Sequence, residues 1–239
     1  MREVTMFLAA LIAALSVMAP MSPVPTAAQE ATPAMTYACV VGTSTPGAMA
    51  HGMPMAGTPA ADMDHMVMEL DQMYIDMMIP HHQSIIAMTQ AALPRLQDDR
   101  LREIAQAVIE EQGAEIVQLQ EYREAWYGDP NPMPMDEAMM AAMDEMMPGM
   151  GDSESMATMM DAEALVAAFC AAENSDLGFI DLTIPHHEMA IQASEAAMEQ
   201  ATHDEIRMVA ERVIADQERE IDELTEIRQE LTEAATPSA

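Results

Sequence analysis

Asp71-Gln-Met-Tyr-Ile-Asp-Met-Met-Ile-Pro-His-His82 decides how this chain is read, because it returns 105 positions later, without a gap, as Asp176-Leu-Gly-Phe-Ile-Asp-Leu-Thr-Ile-Pro-His-His187. The register holds beyond the two blocks. Val108-Ile109, Gln112, Glu115-Ile116, Leu119 and Arg123 return as Val213-Ile214, Gln217, Glu220-Ile221, Leu224 and Arg228. A unit of about fifty residues is therefore used twice, which favours two copies of one module packed on a shared core over two unrelated domains.

Outward from the first block, apolar residues recur at helical spacing through Ile75, Met78, Ile79, Ile86 and Leu93. A second run follows Asp98-Asp99 with Ile104, Val108, Ile116 and Leu119. Together they predict a helical hairpin over residues 67–127, closed by Tyr122 to Tyr127 and the break Gly128-Asp-Pro-Asn-Pro132. Residues 161–232 repeat the pattern, with Asp161 placed to cap a helix and Asn174-Ser175 resetting the chain before the second block. No segment alternates with period two, so the expectation is all-α: two tandem hairpins forming one four-helix bundle.

The remaining segments are compositional. Residues 128–160 form a Met-rich acidic linker; from Met133 to Met160 it holds eleven Met and six acidic residues with no basic one. Within it Asp136 to Met147 reads as a helix, interrupted at Pro148-Gly149. Residues 29–66 read as a low-complexity Met/His/Pro-rich arm, and 233–239 as a tail. The apolar run from Met6 to Ala19, ending in small residues at Thr26-Ala27-Ala28, reads as a signal peptide over 1–28. It is too short to span a membrane stably, and the expectation is a mature chain outside the cytoplasm, secreted or in the periplasm or cell envelope; an uncleaved anchor is the alternative, since Glu3 offsets Arg2, the one basic residue before the run. Cys39 and Cys170 are the two cysteines. Outside the cytoplasm they permit one disulfide, with free thiols or metal thiolates as alternatives.

Asp and Glu outnumber Lys and Arg 41 to 9. A surface this anionic repels nucleic acid and acidic lipid and attracts cations, so metal ions are the expected partners, with a homo-oligomer left open. The 29 Met supply thioether sulfur in quantity. Met73, Met88 and Met208 are read as core filler, whereas those of the solvated linker are divided between metal capture and compositional drift.

On a 3.6-residue repeat, positions 71, 75, 78, 79, 82, 86 and 89 share one stripe, which puts Asp71 and His82 on a buried face; Gln112 and Glu115 lie on the partner helix. Asp176, His187, Gln217 and Glu220 follow by the repeat. His81 and His186 lie roughly 100° around the helix from their neighbours, which turns them away from that stripe unless the helix distorts. Pro80 and Pro185 either kink a continuous helix or open a new one. Imidazoles suit Cu, Zn and Ni, and thioethers such as Met77 and Met78, each four residues before a His, select Cu(I) or Ag(I). The competing reading is of core histidines paired with carboxylates that keep a duplicated bundle in register. No Ser-His-Asp order, Gly-rich phosphate loop or Cys-x-x-Cys pair is present. The enzyme class left open is a metal-dependent oxidase, although Gln-x-x-Glu departs from the Glu-x-x-His of di-iron bundles.

The tandem F/Y-I-D-x-x-I-P-H-H blocks, each followed by Gln-x-x-Glu-Ile, resemble the bacterial domain-of-unknown-function family 305, which includes CopM-like copper-binding proteins. The resemblance covers residues 64 to 231 and takes in Met-Pro-Gly-Met150. It implies a ferritin-like helical bundle, usually exported, and for the CopM-like members binding of Cu(I) or Ag(I) in copper resistance, with Cu(II) a further possibility. By position it points to Met77, Met78, His81, His82, His186 and His187. The second block departs with Leu182 and Thr183 in place of the Met pair. The expected function is metal buffering, resistance or delivery without catalysis; a metal-dependent oxidase or a structural, partner-binding bundle is the alternative.

Overall fold

The periodic runs fold as helices, and their limits follow from local chemistry. In the computed structural model, which describes Cys39, residues 69–146 and residues 153–235, the helices are α1 (Leu70–Ala92), α2 (Asp99–Tyr127), α3 (Glu137–Met146), α4 (Ser153–Met160), α5 (Ala162–Ala171), α6 (Ser175–Gln200) and α7 (Asp204–Ala235), with a 3₁₀ turn at Leu93–Arg95. Asp98 caps α2 by accepting from the Arg100 amide, Asp161 caps α5 through Glu163 and Ala164, and Asn174 caps α6 through Leu177. Gly128, at φ 83°, ends α2 in the left-handed conformation that glycine adopts without a Cβ penalty. No strand occurs among the described residues, and the segments read from sequence as a signal peptide and as most of an N-terminal arm lie outside them.

The expected pair of hairpins is present as α1–α2 and α6–α7; the linker adds α3 and α4, and α5, capped by Asp161, precedes the second hairpin. α1 and α6 run antiparallel at the centre, joined where Tyr74 Oη meets Ser194 Oγ at 2.9 Å. α2 flanks α1, α7 flanks α6, and α4 and α5 close over α1. One apolar cluster joins the first half of α1 to the second half of α6 and the start of α7, with Met139, Met143 and Met156 from the linker. The other joins the second half of α1 to the start of α6, with Leu165 and Phe169 of α5. The two His-His pairs fall between these clusters.

Both prolines lie inside continuous helices, so neither opens a new one. The one-sided stripe expected of α1 does not describe it. Helices pack against it on several sides, and Met73, Met77 and His81 are as fully buried as Ile75, Met78 and His82. Met208 also departs from expectation: it is 66% exposed, on the outer face of α7, while Met73 and Met88 are core residues.

The repeat also fastens the two modules reciprocally. Asp71 of α1 accepts hydrogen bonds from the Thr202 and His203 amides before α7, each at 2.8 Å, and lies 2.5 Å from His203 Nδ1. Asp176 of α6 accepts from Gln97 and Asp98 before α2, at 2.8 and 3.3 Å. Each signature aspartate thus ties down the turn that leads into the other module's outer helix. A disulfide joins Cys39 to Cys170 of α5, which settles the open question of the thiols.

A second aspartate in each block makes the same ion pair in two environments. Asp76 Oδ1 meets Arg123 Nε at 2.5 Å and accepts from the Met133 amide at 3.2 Å, both side chains buried beneath residues 129–133. Asp181 meets Arg228 Nε at 2.7 Å with both side chains 51% exposed. Asp76→Ala therefore leaves a buried guanidinium without its counter-charge, at about 3–5 kcal/mol, while Asp181→Ala costs about 1 kcal/mol or less. Urea denaturation of the two variants checks this; equal losses would show that burial does not distinguish the pairs.

Candidate metal centre

Because α1 and α6 are antiparallel and related by the repeat, equivalent residues meet where they cross. His81 and His186 stack there with ring centroids 3.6 Å apart and planes tilted by 34°. His82 lies 6.1 Å from His81 toward α2, and His187 lies 6.3 Å from His186 toward α7. All four rings are fully buried. The copies therefore build one row across the bundle instead of two separate sites. The offset that was expected to turn His81 away from the core directs it at α6, since α1 has a neighbour on that side as well.

Each end of the row is held by a carboxylate. His82 Nε2 meets Glu115 Oε2 at 2.8 Å, and His187 Nε2 meets Glu220 Oε2 at 2.6 Å. In the tautomer that donates Nε2–H to the carboxylate the lone pair sits on Nδ1, and that atom has no hydrogen-bond partner among the described residues in either histidine. Ser84 fixes the third ring. Its Oγ faces the carbonyls of His81 (2.7 Å) and Met159 (2.5 Å), which compete for its one proton, so His186 Nε2, at 3.0 Å, donates to Oγ and leaves its own Nδ1 bare. Neither nitrogen of His81 lies in hydrogen-bonding geometry with a partner among the described residues.

Further unpaired groups lie near by in the sequence pattern. Gln112 and Gln217, one turn before Glu115 and Glu220, are buried with both amide atoms unpaired, and Thr183 Oγ1 is also unpaired. A buried polar atom without a partner costs about 1–3 kcal/mol, and native cores hold few. Such a concentration fits a donor set for a ligand that accepts nitrogen lone pairs. Burial, followed by the neighbouring imidazoles, holds His81 and His186 well below the ordinary histidine value of 6.5, so both are neutral and able to donate lone pairs.

Of the residues marked from sequence, His81, His82, His186, His187, Glu115 and Glu220 are brought together. Met77 and Met78 are buried one helical turn before His81 and His82, on the respective faces. Asp71 and Asp176 are about 15 Å along the helix from the rings at 1.5 Å per residue, engaged with the helix starts described above. Among the described residues no three His, Cys, Asp or Glu side chains converge as a metal shell. Sequence reasoning did not single out Ser84, although its place one turn after His81 was a signal. It also missed Arg212, which reaches Glu115 Oε1 at 3.2 Å and has only Ala107 at the repeat position.

The fold and the row define a duplicated all-helical protein with a paired-histidine layer. The chain belongs to the family described as Domain of unknown function (DUF305), whose model matches residues 71–228. The structure is similar to CopM in its Cu(II)-bound form (TM-score 0.53, 27% identity, 67% of this chain and 97% of that one). It is also similar to the Cu(I)-bound form (0.52, 25%, 67% and 96%) and the Ag-bound form (0.50, 26%, 67% and 96%). A DUF305 protein from Streptomyces coelicolor, described as secreted, shares the fold at TM-score 0.53 and 19% identity, over 68% of this chain and 93% of that one. No curated protein matches the chain.

The depressed His values fix a pH dependence. Below about pH 6.5 an unfolded histidine binds a proton that native His81 and His186 do not, so the unfolded state gains protons and stability falls as pH falls. Two such residues contribute a slope of up to about 2.7 kcal/mol per pH unit. Thermal unfolding of the metal-free protein from pH 7.5 to 5.0 should show a steep loss that is reduced in a His81→Gln/His186→Gln variant. An unchanged slope would place the acid sensitivity elsewhere.

Proposed function

We propose that this chain binds soft metal ions, copper foremost, outside the cytoplasm, and serves in metal buffering, resistance or delivery. The observation that carries the reading is the buried row of four imidazoles, in which His82, His186 and His187 each present an unpaired Nδ1 and His81 two unpaired nitrogens. Glu115 and Glu220 act as the carboxylates behind ligating histidines, fixing tautomer and ring orientation.

Copper(I) is the preferred cargo. It accepts low-coordinate sets of imidazole and thioether donors, and Met77 and Met78 lie on the His faces of α1. α4 lies beside this layer, since the Met159 carbonyl meets the same Ser84 that holds His186. Cu(II) and Ag(I) are alternatives, and CopM, similar in sequence and fold, has been solved with all three. Gln112 and Gln217, buried with unpaired amides, lie one turn before the two glutamates, while Asp71 and Asp176 stay bonded to the turns before α7 and α2. A strongly anionic surface favours cation approach. Export is supported by the apolar N-terminal run and by the disulfide.

The second reading, a structural bundle, is favoured by one observation: His82 and His187 already have carboxylate partners. Titration with Cu(I) under reducing conditions separates the two. Metal binding is expected to raise the midpoint of unfolding, by the equivalent of about 2.7 kcal/mol when free metal is a hundredfold above Kd. A His81→Ala/His82→Ala/His186→Ala/His187→Ala variant should lose at least about tenfold in affinity, or 1.4 kcal/mol. Unchanged affinity in that variant removes the row from the metal site. Sustained oxygen consumption with Cu(I) or Fe(II) would instead establish an oxidase.

A further inference from the structure

The two sulfurs of the Cys39–Cys170 disulfide lie in opposite electrostatic surroundings. Arg95, at the end of the 3₁₀ turn after α1, places Nη1 2.8 Å from Cys39 Sγ, and its guanidinium carbon lies 5.2 Å from the centre of the Phe169 ring. The other seven described arginines each pair with a carboxylate. Arg95 has no carboxylate partner among the described residues, in a chain with 41 acidic side chains. Its charge is directed at an aromatic face and a sulfur instead. Cys170, by contrast, is in the last turn of α5, where unpaired carbonyls carry negative partial charge. Both half-cystines are partly exposed.

These surroundings make the bond directional. In thiol–disulfide exchange a thiolate attacks one sulfur and the other departs, and the better-stabilised thiolate departs faster. Attack at Cys170 Sγ expels a Cys39 thiolate beside a guanidinium, which favours that anion. Attack at Cys39 Sγ would expel a thiolate at the negative end of α5, which disfavours it. Arg95 also offsets, at this point of the surface, the repulsion that so anionic a protein exerts on an approaching anion.

We propose that Cys39–Cys170 is a thiol–disulfide exchange site for a small thiolate, which is taken up on Cys170 Sγ as Cys39 Sγ departs. The incoming sulfur forms a bond to Cys170 Sγ, the bond between the cysteines breaks, and its electron pair stays on Cys39 beside Arg95. A second small thiolate then attacks the added sulfur and expels the Cys170 thiolate, which takes a proton from water. Two small thiols are oxidised to their disulfide and the protein disulfide is reduced by two electrons. The step separates Cys39 from α5, the helix that closes over α1. It involves neither the imidazole row nor a metal ion.

The test is partial reduction of the oxidised, metal-free chain with glutathione, quenched with N-ethylmaleimide and mapped by mass spectrometry of non-reduced peptides. Glutathione should be found on Cys170 with maleimide on Cys39, at least about fivefold over the reverse pattern. Arg95→Gln should slow loss of the disulfide at least about threefold and even out the two adducts. Arg95→Lys, which keeps the charge, should preserve the direction. The adduct is mapped in the unsubstituted chain, so direction is tested even where Arg95→Gln folds poorly. Glutathione on Cys39, an equal split, or a rate and adduct pattern unchanged in Arg95→Gln would overturn the proposal. Reduction by a dithiol protein of the thioredoxin class with glutathione inactive would overturn the assignment to a small thiolate.

Discussion

Four imidazoles are buried side by side at the centre of the bundle, and the rest of the architecture accommodates that constraint. Rings removed from water need partners or must stay neutral. The bundle does both: carboxylates on α2 and α7 hold the outer rings, Ser84 holds one inner ring, and burial keeps the inner pair uncharged. The apolar side chains then divide into one cluster on each side of the layer. The dry packing that stabilises the fold is displaced toward the two ends, and the middle is left for chemistry.

Duplication makes this arrangement economical, and divergence gives it direction. The same residues serve twice in the clamps made by Asp71 and Asp176, where each module orders the outer helix of the other. Elsewhere one copy has changed. Tyr74 donates or accepts at Ser194, but Phe179 stands at its repeat position and Thr89, the counterpart of Ser194, has no partner for its hydroxyl. The Met77-Met78 pair becomes Leu182-Thr183, and Arg212 corresponds to Ala107. The first copy keeps the softer donors and the more complete hydrogen bonding, so the two ends of the row present different surroundings to whatever occupies it.

Most of the scaffold was legible in the sequence because helical periodicity and capping are local. Asp98, Asp161, Asn174 and Gly128 end or begin helices where their side-chain and backbone chemistry requires. The all-α class, the hairpins and the His, Glu and Gln residues of the polar layer followed from periodicity and the repeat. The orientation of His81 did not, because a helical wheel assumes one buried face and α1 is enclosed on several. The work of Asp71 was also hidden. Its partners lie 131 and 132 residues away in a turn, and no local pattern announces a bond to so distant a turn. Met208 shows the opposite error, an apolar residue at a helical position that has nothing to pack against.

The Cys39–Cys170 bond closes a covalent ring of the chain that contains the whole first hairpin and the Met-rich linker. A single peptide-bond cleavage anywhere within that ring, the acidic linker included, leaves one covalently connected molecule. The four imidazoles, two from each side of the linker, would then remain tethered after a cut that separates the two modules in the linear sequence. The disulfide acts in this respect as insurance for a centre assembled from both halves, and it holds only where the environment keeps thiols oxidised.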